Sequence, residues 1–353
     1  MEEVLYAPGL GYYSAGAVKF GEEGDFVTAP GLSPLFSICV ARQCEEILEQ
    51  AGGDIILELG AGSGQLACDL LRELTSRGSA PREYWILETS AELRARQSRL
   101  FGRELPDSVP RIRWLDRPPE TRFSGVILAN EVLDAVPVHR VKLSRDRIDE
   151  LRVSWKDPRF AWQEQPADGA LEASTRQFLA GIQWPSPDRY VTEIRGGLAP
   201  LVASWAESLD AGALLFLDYG YTRREFFHPQ RRDGTLLCHY RHRVHSDPFV
   251  YPGLQDISAA VDFTAVAEAA SGAGLDVCGF TTQAHFLIAC GLEEIAARSG
   301  TAGTRAWLEI ARQVKLLTLP GEMGDQVKAI ALGRRLPERG LTGFAAADQR
   351  QRL

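Results

Sequence analysis

The chain has 353 residues, of which 45% are hydrophobic and 24% charged, and its formal net charge is −8. These proportions are typical of a globular enzyme with a large core. The acidic balance, without a lysine-rich run, argues against nucleic acid as the main partner, because phosphate binding requires clustered cations. No apolar run reaches the length of a membrane span and no signal peptide is visible, so we expect a cytoplasmic protein if the source is bacterial.

The most informative segment is an apolar strand that ends in a glycine-rich turn. Residues 55–59 are apolar except for Glu58, and glycine follows at positions 60, 62 and 64. Glycine tolerates positive φ, and it lets backbone N–H groups approach a small molecule at the N-terminus of the next helix. We therefore expect a nucleotide-like cofactor to contact Glu58, Gly60, Ala61, Gly62 and Gly64.

The spacing of these glycines separates the candidate cofactors. A dinucleotide fingerprint needs G-x-G-x-x-G, and Gln65 occupies the position of its third glycine. The observed E-x-G-x-G-x-G pattern resembles motif I of class I methyltransferases. The pattern therefore predicts S-adenosyl-L-methionine, and not NAD, as the cofactor.

A second apolar segment, residues 84–87, ends at Glu88 and leads into a helix that Ser90 can cap. In doubly wound folds, an acid at the end of the second strand accepts hydrogen bonds from ribose hydroxyls. We predict this role for Glu88. The alternative is that Glu88 is only a helix N-terminal acid, which the helix dipole favours.

Two further strands, predicted at residues 111–116 and 125–129, complete a βαβαβ series. Asn130 and Glu131 follow the fourth strand at its carboxyl end, which is where open α/β sheets bind ligands. We expect both side chains to face the reaction zone. The alternative for Asn130 is that it only caps a short helix after the strand.

Residues 138–187 have a different pattern. Apolar and polar residues alternate at 138–143, 148–155 and 159–162, which is typical of antiparallel strands with one wet face. A helix near 171–182 and a proline-rich link at 184–187 follow. We interpret this region as an insertion that covers the substrate, and a dimerisation or stabilising extension remains the alternative.

The sheet is predicted to resume after the insertion. The further predicted elements are a strand at 189–194, a helix at 198–209, a fifth core strand at 213–217 ending at Asp218, a helix near 264–273, a strand at 275–281, helices between 285 and 317, and a strand at 327–332. The last two strands are expected to form an antiparallel edge. Small and charged residues after 336 predict a loose tail.

Cysteine and histidine residues offer a weak signal for a metal site. The six cysteines contain no C-x-x-C pair and are expected to be buried free thiols. Histidines at 239, 242 and 245 lie beside Cys238, and such residues can ligate zinc. Arg241 and Arg243 alternate with them and oppose a bound cation, so we predict no metal and interpret this segment as a basic substrate-side loop.

The motifs together resemble the MidA-like class I methyltransferase family. The matching segments are residues 11–14, 24–30, 58–64, 129–138, 217–221, 241–245, 255–258 and 261–264. Generic methyltransferases share only the glycine turn and Glu88, whereas the blocks at 24–30 and 129–138 single out this family. The resemblance implies that Thr28 and Asn130 also contact the cofactor.

The family's mitochondrial member is a complex I assembly factor that methylates an arginine of a core complex I subunit. The resemblance thus implies methyl transfer to an arginine of a protein partner such as a complex I subunit, and a homodimer is considered. A guanidinium stays protonated, so carboxylates must hold it. We predict Glu131 for this task, with Asn130, Asp134, Glu193 and Asp218 as candidate helpers. Alternatives are a small-molecule methyltransferase and an S-adenosylmethionine-binding assembly factor with little turnover.

The expected fold class is α/β, with the doubly wound, Rossmann-like sheet of class I methyltransferases and an inserted antiparallel β/α subdomain on the substrate side. The expected organisation is an N-terminal cover of substrate and cofactor at 1–50, a core at 51–137 and 188–335, the insertion at 138–187, and the tail at 336–353.

Overall fold

A mostly parallel sheet lies at the centre of the computed structural model, which describes residues 1–14, 28–145, 147–180, 182, 189–300 and 303–353. The strands are β1 (Ile55–Leu59), β2 (Glu83–Leu87), β3 (Ile112–Leu115), β4 (Phe123–Asn130), β5 (His139–Leu143), β6 (Ile148–Lys156), β7 (Arg159–Pro166), β8 (Tyr190–Ile194), β9 (Leu209–Tyr221), β10 (Leu237–Tyr240), β11 (Arg243–His245), β12 (Asp256–Ser258), β13 (Val261–Asp262), β14 (Asp276–Thr282) and β15 (Val327–Arg334).

The helices cover both faces of the central sheet. They are α1 (Glu2–Tyr6), α2 (Ala29–Leu32), α3 (Pro34–Ala51), α4 (Gln65–Ser76), α5 (Ala91–Glu104), α6 (Gly169–Leu179), α7 (Leu198–Ser208), α8 (Arg223–Phe226), α9 (Phe263–Gly272), α10 (Gln283–Ala289), α11 (Leu292–Arg298), α12 (Arg305–Thr318) and α13 (Met323–Gln326). Within the described ranges, no helix combines the length and apolarity needed to cross a bilayer.

The strand order of the central sheet is β14-β15-β9-β4-β1-β2-β3, with β13 added beside β9. Neighbours from β9 to β3 run parallel, whereas β15 is antiparallel to both β9 and β14. Every residue of β1 is buried, as expected for a strand that is covered on both faces. The predicted doubly wound α/β fold and its antiparallel edge are confirmed.

The predicted meander is present as β5, β6 and β7, which pair antiparallel. The expectation that the core sheet resumes at 189–194 is wrong, because β8 pairs antiparallel with β5 and completes a separate four-stranded sheet. All five residues of β8 are buried, including the polar Thr192 and Glu193, so its burial pattern is that of a core strand. The pattern carries no information about which sheet the strand joins.

One small sheet was not predicted from the sequence, and two predicted segments lie outside the described residues. A small sheet of order β11-β10-β12 was not predicted at all, since its strands have only three or four residues. The proline-rich link and residues 24–27 lie outside the described residues.

The predicted loose tail is instead packed against the core. Leu341 and Phe344 are only 4% and 2% exposed, and the Phe344 ring lies edge-on to Phe286 at 5.5 Å between centroids. The backbone N–H of Gly343 donates to the Gln43 side chain of α3 at 2.7 Å. Buried apolar side chains and backbone hydrogen bonds therefore hold a segment whose composition is otherwise small and polar.

We expect Phe344→Ala to lower the free energy of unfolding by about 3 kcal/mol, because it removes a buried ring and leaves a cavity. Urea denaturation measures the change. Leu308→Ala, at a position that is 68% exposed on α12, is the matched control and should change stability by less than about 0.5 kcal/mol. An equally small effect for Phe344→Ala would contradict the packed tail.

Candidate active site

A cavity of about 380 Å³ lies at the carboxyl ends of β1, β2 and β4. This volume is within the range of small-molecule sites, about 300 to 1,000 Å³. Its described lining comes from the strand ends, the glycine turn, the N-terminal segment and α7. The lining residues include Tyr6, Tyr13, Thr28, Glu58, Gly60, Ala61, Gly62, Glu88, Asn130 and Glu131.

The glycine turn connects β1 to α4 in a conformation that requires glycine. Gly60, Gly62 and Gly64 have φ values of 62°, 52° and 84°, a region that other residues rarely adopt. A Cβ at Gly64 would lie 3.1 Å from Phe101. Gln97 of α5 donates a hydrogen bond to the Gly62 carbonyl at 2.9 Å, so a residue that sequence reasoning missed helps to hold this turn.

Glu58 lies at the floor of the cavity, where it is only 3% exposed. The Tyr84 hydroxyl donates to its Oε2 at 2.8 Å. Burial, with repulsion from Glu88 in addition, raises the pKa of Glu58 to about 7 although the Tyr84 hydrogen bond opposes the shift.

Glu88 directly follows β2 and lines the cavity. The strand, the acid and the helix therefore occur in the predicted order. Its Oε1 accepts a hydrogen bond from the Ser90 backbone N–H at 2.9 Å. Its Oε2 accepts one from Gln97 at 3.4 Å. Glu88 therefore supports the start of α5 and also faces the cavity, which makes the two sequence interpretations compatible with each other.

Asn130 and Glu131 lie side by side where β4 ends. The Asn130 amide donates to Glu131 Oε1 at 3.2 Å. Residues 131–138, all of which the structure describes, form no helix, so the interpretation of Asn130 as a mere helix cap is wrong. The buried Oδ1 atom of Asn130 has no hydrogen-bond partner among the described residues. Such an atom is costly unless a ligand satisfies it.

Glu131 has a strained backbone and a perturbed carboxyl group. Its φ of 53° is in the left-handed region, where a non-glycine residue is held only by its surroundings. Burial, followed by repulsion from Asp218, raises the pKa of Glu131 to about 8 despite the hydrogen bond from Asn130. The carboxyl lines the cavity.

The loop that follows Glu131 is held by the carboxylate of Asp218 from β9. Asp218 Oδ2 accepts hydrogen bonds from the backbone N–H groups of Val132, Leu133 and Asp134 at 3.0, 2.7 and 3.4 Å. Asp218 is 1% exposed, and burial raises its pKa to about 6. Asp218 is thus engaged with the backbone of the loop.

Four carboxyl groups in and around this loop repel one another, and we call them the acidic cluster. Its members are Glu131, Asp134, Asp218 and Asp256. Burial and repulsion from Asp218 and Asp256 raise the pKa of Asp134 well above its usual range, and the Tyr13 hydroxyl donates to Asp256 Oδ1 at 2.8 Å.

Arg195 is a buried guanidinium beside the acidic cluster, and sequence reasoning did not find it. Its three nitrogens donate to the carbonyls of Val136, Ala260 and Ala259 at 3.3, 3.2 and 2.7 Å. The nearby Asp218 and Asp134 favour its charged form, whereas burial lowers its pKa. Arg195 therefore links three backbone carbonyls and also neutralises part of the negative charge of the cluster.

The remaining sequence candidates lie in different settings. Glu193 accepts hydrogen bonds from Thr235 at 2.7 and 2.9 Å and is absent from the described lining of the cavity. Thr28 lines the cavity directly before α2. Arg241 and His242 form the positive-φ turn of the β10–β11 hairpin, and in the described part of the chain no group of three or more histidine, cysteine or acidic residues is arranged to hold a metal.

Comparison with known proteins identifies the family. The family model described as "Putative S-adenosyl-L-methionine-dependent methyltransferase" matches residues 39–281, and the chain belongs to that family. The "Protein arginine methyltransferase NDUFAF7 homolog, mitochondrial" of Drosophila melanogaster is 30% identical, over 94% of this chain and 80% of that protein. The NDUFAF7 protein of Danio rerio is 28% identical, over 92% and 80%.

Two solved structures from Burkholderia thailandensis have the same fold. One, a "likely methyl transferase" bound to S-adenosyl-homocysteine, is 44% identical with a TM-score of 0.94 and covers 100% of this chain and 90% of that chain. The other, an uncharacterised protein, is 43% identical with a TM-score of 0.91 and the same coverage. The resemblance to MidA-like enzymes and the predicted cofactor are confirmed, and the protein is an S-adenosylmethionine-dependent methyltransferase.

The donor set of the cavity fits this cofactor. Backbone groups of the glycine turn, the carboxylates of Glu58 and Glu88 and the unsatisfied Oδ1 of Asn130 suit an amino-acid end and a ribose. No phosphate is present in the cofactor, and the described lining contains no lysine or arginine.

The stability of the ligand-free protein should fall as pH rises. Glu58 and Glu131 have folded pKa values of about 7 and 8, above the ordinary 4.5. A carboxyl group whose pKa is higher in the folded than in the unfolded protein stabilises the fold when the pH lies below the ordinary pKa. This contribution is lost as the pH rises through the pKa of the folded state. We expect Tm to fall between about pH 5 and about pH 9 in differential scanning fluorimetry. Glu131→Gln should show a smaller fall, and an unchanged slope would contradict the raised pKa.

Proposed function

We propose that the protein transfers a methyl group from S-adenosylmethionine to the guanidinium of an arginine in a partner protein, with a respiratory complex I subunit as the first acceptor to test. The observation that carries this proposal is the acidic cluster beside the cavity, in which four carboxyl groups are accompanied by the guanidinium of Arg195. A positively charged acceptor fits this excess of acidic groups over cationic ones.

The electrostatics of the cluster favour a cation over a neutral acceptor. Raised carboxyl pKa values mean that the site cannot hold all of its negative charge without a counter-charge. A bound guanidinium supplies that charge, and its planar fork matches a carboxylate in two hydrogen bonds. Glu131 is the member of the cluster that lines the cavity, so it is the carboxylate we assign to the acceptor.

The relatives support the same acceptor class. The curated relatives at 25 to 30% identity carry the name protein arginine methyltransferase. These names support an arginine side chain as the acceptor class.

The cofactor, when bound, supplies an electrophilic methyl group on a sulfonium. We assign the backbone of Gly60, Ala61, Gly62 and Gly64, with Thr28, Glu58 and Asn130, to its amino-acid end and adjoining groups, and Glu88 to its ribose. In-line transfer depends mainly on positioning. Glu131 orients a guanidinium nitrogen, and the Asn130 amide donates a hydrogen bond to Glu131 at 3.2 Å. Asp134, whose raised pKa favours its neutral form in the free protein, ionises when the cation is bound.

Glu88→Ala should weaken the binding of S-adenosylhomocysteine by about 10- to 100-fold, which is the usual cost of losing hydrogen bonds to a charged group. Isothermal titration calorimetry measures the dissociation constant. Glu104→Ala, at the opposite and exposed end of α5, is the control and should bind normally. A Glu88→Ala protein with a lower Tm but unchanged affinity would identify Glu88 as a helix-capping acid only.

Glu131→Gln keeps the shape of the side chain and removes its charge. We expect cofactor affinity to change by less than about twofold and turnover to fall by about 10²-fold or more, because the lost interaction is strongest in the transition state. The assay incubates the enzyme with deuterated-methyl cofactor and an extract from cells that lack the gene, followed by mass spectrometry.

The same experiment separates the acceptor from the residue. Label on an arginine, absent with Glu131→Gln, supports both assignments. Label on lysine, on a small metabolite or on no acceptor contradicts the arginine proposal. Arginine label at a normal rate with Glu131→Gln contradicts only the role of Glu131.

A further inference from the structure

Two tyrosines of the N-terminal segment line the cavity, and the acceptor and cofactor contacts assigned above do not involve them. Tyr6 is the last residue of α1, and Tyr13 belongs to residues 11–14, one of the segments that resemble the MidA-like family. Their rings stack with 5.6 Å between centroids and 22° between planes, and both line the cavity. We call these two residues the tyrosine pair.

The chain folds back on α1 to bring the two rings together. The Gly11 N–H donates to the Ala7 carbonyl at 2.7 Å, and the Tyr13 N–H donates to the Leu5 carbonyl at 2.8 Å. A Cβ at Gly11 would lie only 2.6 Å from the backbone nitrogens of Tyr6 and Ala7, so this close approach requires glycine. The backbone therefore fixes the position of the tyrosine pair.

The residues that precede the two tyrosines anchor the segment. Leu5 and Tyr12 are 0% and 2% exposed, and they form a small core with Ile257 of β12 and its neighbours. Tyr13 packs against this core, whereas Tyr6 is 39% exposed. The pair therefore presents one accessible ring, Tyr6, that is supported by a more deeply packed one.

The hydroxyl groups of the tyrosine pair bind to the acidic cluster and to the loop after β4. The Tyr13 hydroxyl donates to Asp256 Oδ1 at 2.8 Å, and the Tyr6 hydroxyl donates to the Ala135 carbonyl at 2.9 Å. Burial, with the charges of Asp134 and Asp256 in addition, raises the pKa of both hydroxyls above the ordinary value. The two phenols therefore add no negative charge at neutral pH.

An aromatic ring beside carboxyl groups suits a planar cation. The face of the ring attracts positive charge. A guanidinium can stack on that face while the N–H groups at its edge donate to a carboxylate, whereas an ammonium group cannot stack. The residues assigned to the cofactor lie mainly at the ends of β1 and β2, whereas the tyrosine pair contacts the loop after β4 and Asp256 of β12.

We propose that Tyr6, supported by Tyr13, is the surface on which the acceptor guanidinium stacks while the carboxylate of Glu131 accepts its N–H groups. This inference rests on the proposed function and adds a residue that determines its specificity. The ring and the carboxylate together select arginine over lysine, because only the planar group uses both at once.

The test measures the binding of small probes, which does not depend on methyl transfer. Nα-acetyl-arginine methylamide and its citrulline and lysine counterparts are titrated against the full chain, saturated with S-adenosylhomocysteine, and followed by saturation-transfer NMR. Citrulline has nearly the shape of arginine without its charge. Separate calorimetric titrations measure the affinities for S-adenosylmethionine and S-adenosylhomocysteine.

We expect the parent to bind the arginine probe at least about fivefold more tightly than the citrulline and lysine probes. Tyr6→Leu should weaken the arginine probe by at least about fivefold, because it removes the ring. Tyr6→Phe keeps the ring and loses only the hydrogen bond to Ala135, so its affinity should stay within about twofold of the parent.

Tyr251→Leu is the matched control and should bind all three probes like the parent. Tyr251 is 40% exposed, its ring centroid lies 4.4 Å from that of Tyr240, and it is absent from the described lining of the cavity. An unchanged affinity for S-adenosylhomocysteine reports that each variant is folded.

Several results would overturn the role of Tyr6. Unchanged arginine affinity in Tyr6→Leu, in a parent that prefers arginine over citrulline, contradicts this role and leaves the proposed function intact. Equal losses for arginine and citrulline would make the ring an apolar wall, and equal losses in Tyr6→Phe and Tyr6→Leu would assign the effect to the hydroxyl.

Two further results concern other cations. A loss of affinity for S-adenosylmethionine but not for S-adenosylhomocysteine in Tyr6→Leu would place the ring against the sulfonium of the cofactor and overturn the inference. Equal affinity of the parent for the arginine and lysine probes would contradict the selectivity. A parent that does not distinguish arginine from citrulline would instead count against the proposed function itself.

Discussion

The hydrogen bonds from the loop after β4 to the carboxylate of Asp218 are the interaction on which the active site depends. This carboxylate accepts three consecutive loop N–H groups at 2.7 to 3.4 Å and also the N–H of Tyr219. Buried N–H groups without a partner are expensive, so the loop has little freedom to adopt another path. The left-handed backbone of Glu131, at φ 53°, is maintained because the residues directly after it are fixed in this way.

The same carboxylate repels neighbouring acidic groups, and the surrounding residues neutralise only part of that negative charge. Asp218 repels Glu131 and Asp134, and Arg195 compensates for some of that charge while its nitrogens bind three carbonyls. Arg195 directly follows β8, which belongs to the inserted sheet. The sheet formed by β5 to β8 therefore contributes a buried charge beside the acidic cluster, which is built by pieces of the chain that are distant in sequence.

The features that could be predicted from sequence are those encoded locally. The glycine turn, Glu88 at the end of β2 and Asn130 at the end of β4 each depend on a short segment and on the rule that ligands lie at the carboxyl ends of parallel strands. Arg195 and Gln97 could not be found, because their roles arise from partners far along the chain. The assignment of β8 to the core failed for the same reason, since burial on both faces is compatible with either sheet. The tail was misjudged because composition does not reveal the two side chains, Leu341 and Phe344, that anchor it.

The position of β15 in the central sheet has a consequence for how the protein matures on the ribosome. β15 lies between β9 and β14 and is antiparallel to both. Until residues 327–334 have emerged, β14 has no partner among the described strands of the sheet, and β9, the strand that carries Asp218, has an open edge. Open edges of this kind pair readily with other chains, and contacts between distant segments form slowly. The nascent chain thus spends most of its synthesis without a finished sheet, a period in which chaperone protection is most valuable.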